Sequence, residues 1–212
     1  MRRSTLLLSA TIGFGLLYVA ATIALGSTPD AGDNGRAVAA WFRDHDGHVR
    51  VWMWLLTLSL PLFAIFAALV RARLPAPHRD VFFFGAIAFA AETAAQGWLW
   101  AGMAWHANQL QPATARTLLD VASFWGPVLT STTVTMLAPV VLVALRGDWG
   151  FPRWLGLFGA VALVEQVIET ITVFGSHGFI APGGPMNIYL GAGLVGVALL
   201  CLGITAARTS TA

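Results

Sequence analysis

Glu92, Glu165 and Glu169 are the only glutamates in the chain, and each lies inside a long apolar stretch. A carboxyl at membrane depth is costly, and it usually faces a bundle interior, a cavity or an ion path. Such groups suit proton coupling, general-acid chemistry or recognition of a cation. Their spacing suggests that they act together. Asp80 and Arg153 mark the inner edges of two apolar stretches, and Glu92 and Glu165 each lie twelve residues further on. At a rise of 1.5 Å per residue both reach about 18 Å into the bilayer, near its midplane. Gln96 and Glu169 lie one turn beyond, so the four side chains form a single cluster if the two helices touch. No arginine or histidine falls at that depth, and at least one of Glu92 and Glu165 is expected to carry a proton at neutral pH.

Helical phase extends these positions into stripes. Glu92, Gln96, Met103 and His106 share one face; Glu165, Glu169, Thr172 and Ser176 share another. Ser123, Thr130 and Thr133 align on a third segment beside Gly126-Pro127. Three stripes running from the midplane outward predict a polar pocket that opens to the outside, above inner halves that are almost wholly apolar. The alternative is that the carboxyls bond Gln96, Gln166 and the threonines and simply hold helices together. Trp98 and Trp125 lie deep enough to wall such a pocket beside Glu92, where aromatic faces hold a cation or a lipid-like group. An aromatic belt at headgroup level is the preferred account of these tryptophans.

The elements that position these residues are membrane spans. The chain is 57% hydrophobic and 10% charged, against about 25% charged in ordinary globular domains. Apolar runs over about 6–25, 51–70, 81–100, 118–141, 155–174 and 188–207 approach the roughly 20 residues a helix needs to cross the hydrocarbon core. The expected fold is an all-α polytopic transmembrane bundle of six spans, one integral membrane domain over 1–212. Its basic residues are all arginine. Arg2, Arg3, Arg71, Arg73, Arg79, Arg146, Arg153 and Arg208 fall on one side; Arg36, Arg43, Arg50 and Arg116 fall on the other with Asp30, Asp33, Asp44, Asp46 and Asp120. The positive-inside rule then puts both termini in the cytoplasm and the protein in the inner (plasma) membrane. Met1-Arg2-Arg3 before an apolar run also suits a signal peptide, but about 20 apolar residues exceed the 7–15 of a signal core. The first run is therefore read as a span.

Between the first two spans, turn formers at 27–30 lead to a short amphipathic segment over about 33–46, capped by Asp33 or Asn34. Val38, Trp41 and Phe42 recur at helical spacing there. The segment either lies on the outer membrane surface, anchored by Trp41, or packs as a lid over the bundle end. Gly126-Pro127 is expected to kink the long fourth segment, which extends from near Pro112 to near Arg146.

Other patterns carry no chemistry. Residues 191–196 (Gly-Ala-Gly-Leu-Val-Gly) match a dinucleotide-binding fingerprint, yet no strand precedes them. They read as close helix packing through Ala192 and Gly196. Asp44-His45-Asp46-Gly47-His48 lacks the further ligands a metal site requires. Neither a metal site nor a cofactor motif is expected, and the net charge of +2 gives no basis for nucleic-acid binding. Cys201 is alone and forms no internal disulfide.

The segment Ser27-Thr28-Pro29-Asp30 with its Trp41-Phe42 helix, and the outer turn over 179–185 (Phe-Ile-Ala-Pro-Gly-Gly-Pro), together with six spans and arginine-rich inner turns, resemble uncharacterised small six-helix membrane proteins of actinobacterial type. The resemblance implies a six-helix bundle and no established activity, and it weighs against an enzyme. The leading expectation is a non-enzymatic protein whose pocket around Glu92, Gln96, Glu165, Glu169, Trp98, Trp125 and Thr130 binds or moves a proton-linked or cationic small molecule. Its partners are the lipid bilayer and a small-molecule or lipid ligand. The alternatives are an intramembrane enzyme using a protonated glutamate as general acid on an isoprenoid or other lipid, and a structural subunit.

Overall fold

Every long apolar run in the sequence becomes helix, because backbone polar groups away from water must be satisfied within the segment itself. The computed structural model describes residues 3–208; Arg2, grouped above with the inner arginines, lies outside them. In chain order the helices are α1 (Arg3–Leu25), α2 (Gly35–Asp44), α3 (Asp46–Arg71), α4 (His78–Trp105), α5 (Pro112–Ser123), α6 (Trp125–Arg146), α7 (Arg153–Glu169) and α8 (Ala192–Arg208). Among the described residues there is no strand.

Five stretches are long and apolar enough to cross a membrane: Arg3–Leu25, Asp46–Arg71, Pro112–Arg146, Arg153–Phe174 and Met186–Arg208. Helix α4 is 28 residues long, but Glu92 and Gln96 within it lower its hydropathy.

Helix α1 packs on α3 and α8, α3 on α4, α4 on α6, and α6 on α7. Leu7, Phe63, Phe66, Phe82, Met136 and Leu199 of five different helices meet in one core. Glycines set the closest approaches. Gly85 of α4 lies against the backbone of Met136, Gly156 of α7 against that of Leu145 and Ala144, and Gly203 of α8 against Thr11 of α1. A methyl group added at Gly193 or Gly196 would meet nothing within 4 Å. Close packing of the last span thus falls on Gly191 of its first turn and Gly203 of α8, and not on the expected Gly196.

The amphipathic segment is a lid. Asn34 Oδ1 accepts from Arg36 N at 3.0 Å and Ala37 N at 3.1 Å, which caps α2. Val38 and Phe42 are fully buried. They pack in a second core with Trp52 of α3, Trp100 and Met103 of α4, and Ala115, Leu119 and Ala122 of α5. The apolar face of α2 therefore meets protein, and the small alanines of α5 supply the surface. At the junction into α3, His45 Nδ1 lies 2.9 Å from Trp41 O, and Asp46 pairs with Arg50.

The fourth segment divides at Phe124 into α5 and α6, so residues 118–123 of the expected span belong to the helix that carries the lid. Pro127 sits in the first turn of α6, where its missing N–H breaks no bond. The last span starts two residues earlier than expected. Its first turn, Met186–Gly191, is a π-helix.

Candidate functional site

Helix α7 presents three polar side chains in its last two turns, all buried: Glu165, Gln166 and Glu169 are 8%, 4% and 3% exposed. Helical spacing puts Glu165 and Glu169 one turn apart on a single face. Gln166 joins them through its Nε2, which donates to Glu165 Oε2 at 3.0 Å and to Glu169 Oε2 at 2.5 Å. The chain then continues through a 3-10 turn, Thr170–Phe174, and returns at Met186. The returning π turn delivers Asn187, buried at 1% exposed. Its Nδ2 donates to Glu169 Oε1 and lies 3.5 Å from Thr172 Oγ1. Its Oδ1 accepts from Gly183 N at 2.9 Å. The turn over 183–187 thus holds the carboxamide in place.

Small residues make room for this network. A methyl group on Gly191 would collide with Glu169 Oε2 and stand 3.0 Å from Gln166 Nε2. One on Gly126, at the start of α6, would stand 2.7 Å from Asn187 Cγ. One atom of the cluster remains unpaired: Glu165 Oε1 is buried and has no hydrogen-bond partner.

Glu92 is elsewhere. It is half-buried on α4 and accepts a hydrogen bond from Thr132 Oγ1 of α6 at 2.8 Å. The single four-residue cluster does not form, because α6 stands between the helices that carry it. Gly85 of α4 touches α6 at Thr135 and Gly156 of α7 touches it at Ala144. Nine residues make about 2.5 turns, so these contacts lie on opposite sides of α6. Gln96 is half-buried and makes no hydrogen bond among the described residues. Thr130 is buried, but its hydroxyl donates to Pro127 O at 2.6 Å within its own helix. Trp98 is 69% exposed and points away from the bundle, as a lipid-facing tryptophan does. Trp125 is half-buried at the start of α6 with its Nε1 buried and unpartnered.

Sequence reasoning missed Asn187 and Thr132. Asn187 could have been found, since it is the one amide at the start of the last span, and consecutive spans joined by residues 175–185 bring their adjoining ends together. Thr132 had no such signal, because the run over 130–135 offers a hydroxyl in almost every direction.

Two concavities, of about 250 and 470 Å³, lie at the lid end. The first is lined by Arg43, Asp46, Arg50, Trp105 and His106 among others, the second by Asn34, Arg36 and Arg116 among others. None of the three glutamates lines either one. Among the described residues no group of three or more histidine, cysteine or acidic side chains converges as a metal site would.

By length and apolar composition, the five spanning stretches are those of a multi-pass helical membrane protein. Comparison with protein-family models, with curated proteins and with solved structures gives no match for this chain.

Proposed function

We propose that the protein is a multi-pass membrane protein that binds a small cation or a proton at the Glu165–Gln166–Glu169–Asn187 cluster. One observation carries this reading. Two carboxyls lie one turn apart in the interior, neither pairs with a basic side chain among the described residues, and one of their oxygens has no hydrogen-bond partner there. Buried charges are normally paired or hold an ion. Buried ionisable groups in spans mark ion and proton sites. In this reading α4 is a sixth span. Both chain ends then share the arginine-rich side, which the positive-inside rule makes cytoplasmic in a plasma membrane. The cluster lies toward the other side, near the start of α6. The tight fit of Gly191 and Gly126 against it favours a small ion over a lipid substrate.

A second reading is favoured at Glu92, whose one partner, Thr132, links α4 to α6. There the carboxyl serves to hold two helices together.

Thermal unfolding of the purified protein in detergent tests the first reading. A ligand that binds only the folded state raises the unfolding temperature as its concentration rises. Protons, sodium chloride and small ammonium salts should include at least one that stabilises the wild type but not the double variant Glu165→Gln, Glu169→Gln. A wild type indifferent to all of them would refute the reading.

A further inference from the structure

We infer that the cluster takes a monatomic cation, a proton or an alkali ion, with Glu165 Oε1 as the exchangeable ligand atom and Glu169 as the fixed acceptor. This rests on the cluster being a cation site, and it narrows that reading to one size of ligand and one carboxyl.

The two carboxyls are not equivalent. Each oxygen of Glu169 already accepts from an amide, Oε2 from Gln166 and Oε1 from Asn187. Both amides are themselves anchored: Gln166 by Glu165 and Asn187 by the backbone N–H of Gly183. Glu169 is thus held as an acceptor with its positions filled. Glu165 has the same donor on Oε2 and nothing on Oε1, although the side chain is more than nine-tenths buried. A buried carboxyl oxygen without a donor costs free energy. A proton that forms an O–H bond at Oε1, or an alkali ion seated there, removes that cost and neutralises the carboxylate.

Size follows from burial. Gly191 and Gly126 close the Glu169–Asn187 side of the cluster, where neither position tolerates even a methyl group without overlap. Glu165 is 8% exposed and lines neither of the two concavities at the lid end, so a polyatomic cation such as methylammonium has no open path to Oε1.

Nothing else titrates against the site. The elements packed on α7 are α6, α8, the 3-10 turn and the π turn. Their charged residues are Arg146 and Arg208, each at the last position of its helix and far along it from the cluster. Tyr189 of the π turn is 70% exposed, and Cys201 is half-buried further along α8. Glu169 is the remaining ionisable neighbour, and Glu92 is bound to the α4 side of α6.

Infrared difference spectroscopy of the carboxyl region, on full-length protein in detergent, tests this. The probes are pH steps, sodium chloride and methylammonium chloride, each applied alone. The wild type should respond to pH steps, to sodium or to both, and not to methylammonium. A response to pH alone identifies the proton; a saturable sodium response identifies an alkali ion. The seven aspartates and Glu92 also titrate, so the signal is the wild-type band that Glu165→Gln lacks; Glu169→Gln should keep that band with a displaced midpoint. If Glu165→Gln does not fold, Glu165→Asp retracts the ligand oxygen and should weaken the response at least tenfold. An equal response to methylammonium, or one that survives in Glu165→Gln and vanishes in Glu169→Gln, overturns this inference while leaving a cation site. A wild type in which no probe moves a band that either variant lacks overturns both.

Discussion

Two glycines two residues apart should respond in opposite directions to the same substitution. Gly191→Ala adds a methyl group that overlaps Glu169 Oε2 and stands 2.7 Å from its Cδ. Overpacking of this kind costs about 1–3 kcal/mol. Moving the carboxylate also weakens its bonds from Gln166 and Asn187, and hydrogen bonds to a charged group are worth about 1.5–3 kcal/mol. Against this stands the gain in helix propensity, up to about 1 kcal/mol. The net expectation is a loss of about 2–4 kcal/mol, the hydrogen bonds being only partly lost. For a chain of this size that is a fall of roughly 5–15 °C in unfolding temperature. Gly193→Ala meets nothing within 4 Å. It keeps the propensity gain alone, so it should leave stability unchanged or raise it by up to about 1 kcal/mol. Thermal unfolding of both variants in one detergent, followed by circular dichroism, makes the comparison. A Gly191→Ala protein as stable as Gly193→Ala would refute the packing of the cluster.

Three further outcomes follow from contacts described above. Phe42→Ala should cost about 3–5 kcal/mol, because its ring is fully buried in the lid core; a change near zero would mean that α2 lies on the membrane surface. Thr132→Val removes the donor to Glu92, and a double-mutant cycle with Glu92→Gln should give a coupling of about 0.5–1.5 kcal/mol. A coupling of zero would dissolve the pair. Asp80 lies at the polar start of α4, where a hydrogen bond from Arg71 at 2.7 Å, helped by the charges of Arg71 and Arg79, holds its carboxyl below the ordinary value. A depressed carboxyl adds stability above its unfolded value, near about 4, and loses it as pH falls through the lower folded value. Unfolding between pH 6 and pH 2 should therefore show an acid-side loss that Asp80→Asn lacks, and added salt should shrink the difference because the pair is half exposed.

How much of this could be read from the residues depends on which coordinate is asked for. The helices themselves were plain, because apolar runs of spanning length have few alternatives. Their ends were less so. Gly126-Pro127 marked a break in the fourth segment, which falls two residues earlier, at Phe124, and the π turn of 186–191 looks in sequence like any start of a span. For α2 the amphipathic pattern was clear, but a buried face looks the same whether lipid or protein covers it. Its cover turned out to be Ala115, Leu119 and Ala122 of α5 with Trp52, Trp100 and Met103 of α3 and α4, apolar residues that read equally well as parts of their own spans.

The carboxyls show where counting stops. Residue number along a span gives depth, and depth correctly put Glu169 one turn from Glu165 on the same helix. Azimuth comes from packing, and no count within a single helix supplies it. Glu92 and Glu165 were matched in depth across two helices that share a neighbour instead of touching, so a common level became two separate sites. What does carry azimuthal information is connection: the 3-10 turn after α7 and the last span are consecutive and joined by residues 175–185, so their adjoining ends lie near one another. Glu169 and Asn187 sit close to those ends, and they are the pair that bonds. In a bundle of this kind, polar residues flanking one connection between consecutive spans are therefore better evidence of a shared site than polar residues at equal depth on helices distant in sequence.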